Sequence, residues 1–250
     1  MVDHNPYAPP KSAVDDVFRT RDAGGTLEAG LAGDYDFRIL DVVGEAWRRT
    51  RGVKRAYWGG MLVLLLVVAA TGLLLGWLNV YGDQDAIGRQ LLADLLLTAA
   101  IYPFLTGIIM MGVHRAVDLP VSVGMVFGSL DASGRIIVAS MAVSLLTSLG
   151  FLLLVAPGVY LAVAWSLAIP LIVDKGMGPW RAMEASRKAI TRRWLKVFGL
   201  FIVMGAILVV AALSVIGLFW ALPMSSVLLG VLYRIVFGVE RARRHSGETA

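Results

Sequence analysis

The chain has 250 residues, 58% of them hydrophobic and 16% charged, with a formal net charge of +5. A water-soluble domain is nearer half apolar and about a quarter charged, so that class is excluded; apolar runs of about 20 residues, the length that crosses roughly 30 Å of hydrocarbon, recur along the chain. The absence of cysteine excludes disulfides, thiolate metal sites and a Cys nucleophile, and in a membrane chain the basic excess serves orientation and anionic headgroups rather than nucleic acid.

Residues 1–36 are polar, with Pro, Gly and Asp scattered through them and no sustained period. They are expected to form a disordered cytoplasmic tail. Its "NPYAPP" leader, Asn5 to Pro10, is expected to be extended, because a residue before proline is biased away from helix. No apolar h-region marks a cleavable signal peptide, so the first membrane helix is expected to act as an uncleaved anchor. Ile39, Val42, Val43, Ala46 and Trp47 then fall on one helical face, and Arg48, Arg49, Arg51, Lys54 and Arg55 follow at its end. That pattern predicts an amphipathic helix lying in the membrane interface, its cations on lipid headgroups.

The first span is predicted at about 59–81, ending in Trp77 and Tyr81, and the second at about 91–113, kinked by Pro103. A wet segment with a short helix near Val123–Leu130 comes next. Residues 136–173 form 38 positions without a charge. One straight helix of that length would measure about 57 Å at 1.5 Å per residue, so two spans are expected, turning at Pro157-Gly158, with Pro170 in the second. Gly178-Pro179 opens another helix, with Met183, Ser186, Ile190, Trp194 and Val197 on one face and Arg181, Glu184 and Lys188 opposite. Arg192, Arg193 and Lys196 close it and are expected to meet headgroups. Residues 197–238 predict a last hairpin turning within Gly217–Pro223, and 241–250 a polar cytoplasmic tail.

The fold class is therefore an all-α, six-span membrane domain over 37–240. Three hairpins are each preceded by a cytoplasmic interfacial helix, in repeats of about 37–114, 118–175 and 177–240. Trp47, Phe127 and Ser186 are equivalent in that register, with Trp58, Val138 and Val197 at the membrane entries. Each unit crosses twice, so the repeats are parallel, unlike the inverted repeats of many transporters. Of the 23 Lys and Arg, only Arg89 falls in an odd-numbered loop. The positive-inside rule then places both termini in the cytoplasm.

Pro157-Gly158, Trp165, Pro170, Val173-Asp174, Gly176, Pro179-Trp180, Ala182, Ser186 and Trp194 carry a family resemblance. The stretch 157–200 resembles that of the YciC-like bacterial inner-membrane proteins and of the membrane domain sometimes fused to glycerophosphodiester phosphodiesterases. "GEAWRRTRG", 44–52, is similar to the group's first wet helix. The resemblance implies an integral inner-membrane protein of bacteria without an established activity for most members. It carries over no catalytic residue, because no phosphodiesterase domain is present in this sequence.

Ionisable residues inside spans are costly and often functional. Asp94 either faces Arg89 near the outer interface or is a buried functional acid. Arg234 either snorkels to the inner surface or joins Asp94, Ser144 and Ser148 as an intramembrane polar site, and His114-Arg115 reads as an interfacial anchor. Ser140, Ser144 and Ser148 on the third span, like the Gly72–Gly76 pair on the first, are read as helix-packing ridges, with a serine-lined pathway as the alternative. Phosphate-loop, nucleophile-elbow and metal-ligand motifs are absent from the sequence, so neither a catalytic site, a metal nor a cofactor is expected. The leading expectation is a non-enzymatic protein that organises or binds anionic lipid, or a membrane partner, through its basic helices. A carrier or channel for a lipid-like solute, with a cavity lined by Ser144, Ser148, Trp165 and Pro170, is the alternative. A lipid-modifying enzyme ranks below both, since Asp94 and Asp174 are expected on opposite sides of the membrane.

Overall fold

The computed structural model describes residues 24–78 and 87–240. The side chains at 87–92, 94 and 215 lie outside the described residues, and so do the "NPYAPP" leader and the C-terminal tail. Among the described residues every regular element is helical: α1 (Leu27–Ala32), α2 (Ile39–Thr50), α3 (Lys54–Trp77), α4 (Ile87–Arg115), two 3-10 turns (Val123–Phe127 and Leu130–Ala132), α5 (Ser133–Leu153), α6 (Val155–Ala164), α7 (Ala168–Asp174), α8 (Pro179–Arg192), α9 (Trp194–Leu213) and α10 (Val215–Phe237). Six segments are long and apolar enough to cross a membrane.

The second member of each hairpin is the inner one. Over its most apolar window, α4 is 44% buried, the α6–α7 pair 50% and α10 56%, against 17% for α3, 22% for the stretch containing α5 and 17% for α9. The inner helices thus build the core on one another, and the outer ones face lipid. The closest approach is between α4 and α10. A Cβ added to Gly112 would lie 2.0 Å from the Ser226 carbonyl oxygen, and one added to Gly230 would lie 2.2 Å from that of Gly112. Glycine is required there because two backbones touch, and the Ser226 hydroxyl donates across the contact to the Ile108 carbonyl at 3.0 Å. Small residues thus replace the hydrophobic effect as the means of joining helices in lipid. Gly72 and Gly76 play no such part: nothing lies within 4 Å of a Cβ added at either, so the packing ridge expected on the first span is unpartnered. On α5, Ser140 is buried whereas Ser144 and Ser148 are exposed.

Three boundaries depart from expectation, each for a local reason. The second hairpin turns at Leu154, which is extended, rather than at Pro157-Gly158. Pro157 falls in the first turn of α6, where its missing N–H would have had no helical partner. Gly158 there admits the Phe151 ring, which a Cβ would meet at 2.4 Å. The third hairpin turns at Ser214, whose hydroxyl caps α10 by accepting from the Gly217 N–H at 3.1 Å; Pro223 is accommodated inside the helix. The fourth span is split between Ala164 and Ala168, upstream of Pro170, which cannot supply an amide to continue the helix.

The expected disordered tail also folds in part. Thr26 caps α1, accepting from the Ala29 N–H at 3.0 Å, and Gly33 closes it with φ +76°. The Gly25 N–H donates to the Arg234 carbonyl at 2.9 Å. Gly24, Gly25 and Gly30 lie flat against the last turns of α10, where any Cβ would collide with the Arg234, Ile235 or Val236 carbonyls. Residues 24–36 are therefore a plug on the end of α10, made possible by missing side chains. Because the Gly112 contact is backbone on backbone, Gly112→Ala is expected to destabilise the bundle by about 1–3 kcal/mol, as overpacking does. Gly72→Ala should be neutral within about 0.5 kcal/mol. Thermal unfolding in detergent distinguishes the two.

Candidate functional site: the basic end and its groove

The end of the bundle that carries α1, α2, the 3-10 turns and α8 holds most of the described cations. Some are turned inward. The Arg234 guanidinium donates to the Glu45 carboxylate and to the Ala116 carbonyl, both at 2.9 Å, with the two side chains only 13% and 21% exposed. Arg234 is thus not a snorkelling residue but the anchor of α2 on α10. Glu45 also accepts from Arg49 Nε at 2.7 Å, and Arg49 reaches the Asp118 carboxylate at 2.5 Å. Arg115 Nε in turn donates to the Arg49 carbonyl at 2.9 Å. The expectation that Arg49 meets headgroups therefore fails: its charge is engaged between α2 and the end of α4.

A second buried cluster ties α7 to α10. Asp174 has a side chain 1% exposed. It accepts from the Tyr233 hydroxyl at 2.8 Å and from the Glu240 amide, and Lys175 bridges to the Glu240 carboxylate at 3.2 Å. His114 is also buried, rather than anchored at the interface, and with Asp174 and Ser129 it lines a cavity of about 40 Å³, room for a water molecule.

The break in the fourth span is closed by Ser186 of α8. Its buried hydroxyl donates to the Ala164 carbonyl at 2.7 Å and accepts from the Leu167 N–H at 3.3 Å, satisfying one group on each side of the gap. Trp165 and Pro170 are buried beside it. Further along the motif, Gly176 adopts φ +65° and its carbonyl accepts from Arg135 at 2.7 Å. Pro179 begins α8, and Trp194 begins α9 stacked on Phe198 at 4.7 Å. Most of the motif is thus structural. Trp180 is the exception: it is 69% exposed and lies over a surface hollow with Arg181, Glu184 and Lys188.

Of the remaining cations, Lys188 pairs with Glu184 at 3.3 Å, as the four-residue spacing predicts, and Arg187 shares that carboxylate at 2.9 Å. The Arg187 hydrogen bond holds the Glu184 pKa below its usual value. Lys196 is paired with Asp36 at 2.5 Å and depresses its pKa through that bond, so Lys196 is not free for headgroups. Beside it the Tyr35 hydroxyl, pushed up to about 12 by burial, donates to the Ala189 carbonyl at 3.1 Å. Arg48, Arg51, Arg55, Arg181, Arg192 and Arg193 remain exposed. Arg38, Arg135 and Lys188 are exposed as well, and against these nine cations stand six exposed acids, Glu28, Asp34, Asp36, Asp41, Asp118 and Asp131, so among the described residues the exposed charge is net positive.

The proposed polar cavity is not assembled. Ser144 and Ser148 line an open groove with Leu95 and Thr98, apart from Trp165 and Pro170. The backbone of Asp94 lies in α4, while its side chain is outside the described residues. An apolar groove of about 610 Å³ lies instead between α9 and α10. Its walls include Ile207, Val210, Ala211 and Trp220, and Trp47 of α2 forms part of its lining. Lys54 Nζ sits 4.0 Å from the centroid of the Trp220 ring, and Trp58 stacks on Phe219 at 5.2 Å. Sequence periodicity places Trp47 on the apolar face of α2 with Val42 and Ala46, but it is 51% exposed, and no signal in the sequence pairs it with α9.

The Glu45–Arg234 bond gives a direct test of the inward-turned charges. Glu45→Ala should cost about 3 kcal/mol, the low end for a buried pair broken from one side. Arg234→Met should cost less in that background than alone, with a coupling of about 0.5–3 kcal/mol. Additive losses in detergent unfolding would show that the pair carries nothing. Comparison of the chain with protein-family models, curated proteins and solved structures returns no match, so the functional reading rests on the geometry above.

Proposed function

We propose that this chain is a non-enzymatic protein of the bacterial inner membrane that binds and organises anionic lipid through its basic end, which faces the cytoplasm. The observation that carries the reading is the division of charge. Glu45, Asp174 and Glu240 are spent on internal cations, while six arginines stay exposed on α2, α8 and the segments that follow them. Each basic residue held near an anionic leaflet contributes about 1 kcal/mol.

The threefold organisation belongs to the same reading. Each element that precedes a hairpin packs on the hairpin before it: α2 on α9 and α10, the first 3-10 turn on α3 and α4, and α8 on α5, α6 and α7. Such a cyclic exchange would close three parallel repeats and set their interfacial helices in one ring. The carrier reading draws less support, because the hydroxyls expected to line its path face outward at Ser144 and Ser148.

Quenching of the protein's tryptophans by brominated phosphatidylglycerol against brominated phosphatidylcholine tests the proposal. The wild type should prefer the anionic lipid. Changing Arg48, Arg51 and Arg55 together to Gln, or Arg181, Arg192 and Arg193 together, should lower that preference about tenfold or more, since 1.4 kcal/mol is a factor of ten. Equal quenching of the wild type by both lipids contradicts it.

A further inference from the structure

The groove between α9 and α10 differs in kind from the rest of the lipid-facing surface. It arises from missing side-chain bulk: Ala206, Ala211, Gly217 and Ala221 lie where the two helices would otherwise interdigitate. At the turn the helices touch, with Ala211 backbone 2.8 Å from a Cβ added to Gly217. The one hydroxyl in the lining, that of Ser214, accepts the capping bond of α10, so apart from the two tryptophans the walls are almost wholly apolar. At about 610 Å³ the groove lies within the roughly 300–1,000 Å³ typical of sites for small ligands.

Its rim has the opposite character. Trp47 and Trp220 are amphipathic side chains of the kind that settle at headgroup level. Lys54 rests on the Trp220 face with its ammonium 4.0 Å from the ring centroid. Arg51, the C-cap residue of α2, follows Trp47 by four positions, and both Arg48 and Arg51 are exposed. An apolar trough in a lipid-facing wall, bordered by tryptophans and cations, matches one class of occupant: an anionic phospholipid with one acyl chain in the trough and its phosphate at Lys54 and Arg51.

The geometry points to a specific phospholipid site here, distinct from the general layer of bound lipid, with selectivity for an anionic headgroup set by Lys54. It rests on the reading of the basic end as lipid-binding, and narrows that reading to one stoichiometric site. The chain fills the trough through van der Waals contact with Ile207, Val210 and Ala211, since a CH₂ that leaves bilayer hydrocarbon gains no hydrophobic free energy. The ammonium of Lys54 exchanges its cation–π contact for a phosphate oxygen, a stronger charge-assisted partner.

The test uses the purified full-length protein, exchanged into mixed phosphatidylglycerol and phosphatidylcholine and then read by native mass spectrometry after mild delipidation. The wild type should retain one phosphatidylglycerol. Ala206→Trp, at an exposed position, fills the trough from the lipid side and should lower the retained fraction at least tenfold, with the thermal midpoint unchanged. Lys54→Gln should keep a retained lipid but lose the preference for phosphatidylglycerol. Retention by Ala206→Trp equal to wild type, or a retained lipid in the wild type without charge preference, overturns the assignment. The phosphatidylglycerol enrichment of the lipid co-purified before delipidation reports the basic end separately: it should survive Ala206→Trp, and enrichment with no retained lipid in the wild type sinks the groove site only.

Discussion

The constraint on which the architecture depends is that buried charges and broken backbone inside the inner helices are met within the protein, since lipid supplies no partner. Arg234 lies in the last span, the fourth span is interrupted at Trp165–Leu167, and Asp174 ends that span with its carboxylate buried. Each is answered by an element from the basic end: Glu45 of α2 reaches Arg234, Ser186 of α8 bridges the interruption, and the segment after α10 supplies the Glu240 amide to Asp174. The helices that precede the hairpins are therefore not accessories resting on a finished bundle. They complete it.

This arrangement decides what the surface can do. Acids drawn inward neutralise internal cations, and the arginines that remain outside give the basic end its sign. The same packing leaves α9 only lightly buried beside α10, and their small facing residues leave a trough where α2 and the start of α3 contribute Trp47 and Lys54. Structural closure and the proposed lipid contact are thus two uses of the same short stretch, 44–58: Glu45 and Arg49 point in, while Arg48 and Arg51 point out.

Much of this was legible in the sequence. Apolar runs of sufficient length predict six spans, and the helical spacing of Met183, Ser186 and Ile190 marks the buried face of α8. Helix ends were read less well. Turns are expected at Pro157-Gly158 and within Gly217–Pro223, yet they fall at Leu154 and Ser214, because a proline in a first turn costs no hydrogen bond and a serine cap is a stronger boundary. The partners of charges were invisible for a different reason. Arg49, Lys196 and Arg234 are chemically indistinguishable from Arg48, Arg51 and Arg55 along the chain, and only the long-range approach of Asp118, Asp36 and Glu45 separates them. The groove was missed likewise, since it consists of side chains that are not there. Glycine repeats misled in the same way: Gly72–Gly76 has the familiar spacing and no neighbour, whereas the working contact uses Gly112 and Gly230 from different helices.

The account's central claim, that the basic end and the α9–α10 groove together hold an anionic phospholipid, is most directly tested by an experimental density map of the protein in nanodiscs containing phosphatidylglycerol. The account predicts one continuous lipid density, its chain against Ile207 and Val210 and its headgroup at Lys54 and Arg51. A groove without lipid density, or one whose lipid places its headgroup at the Ser214 end, would contradict it.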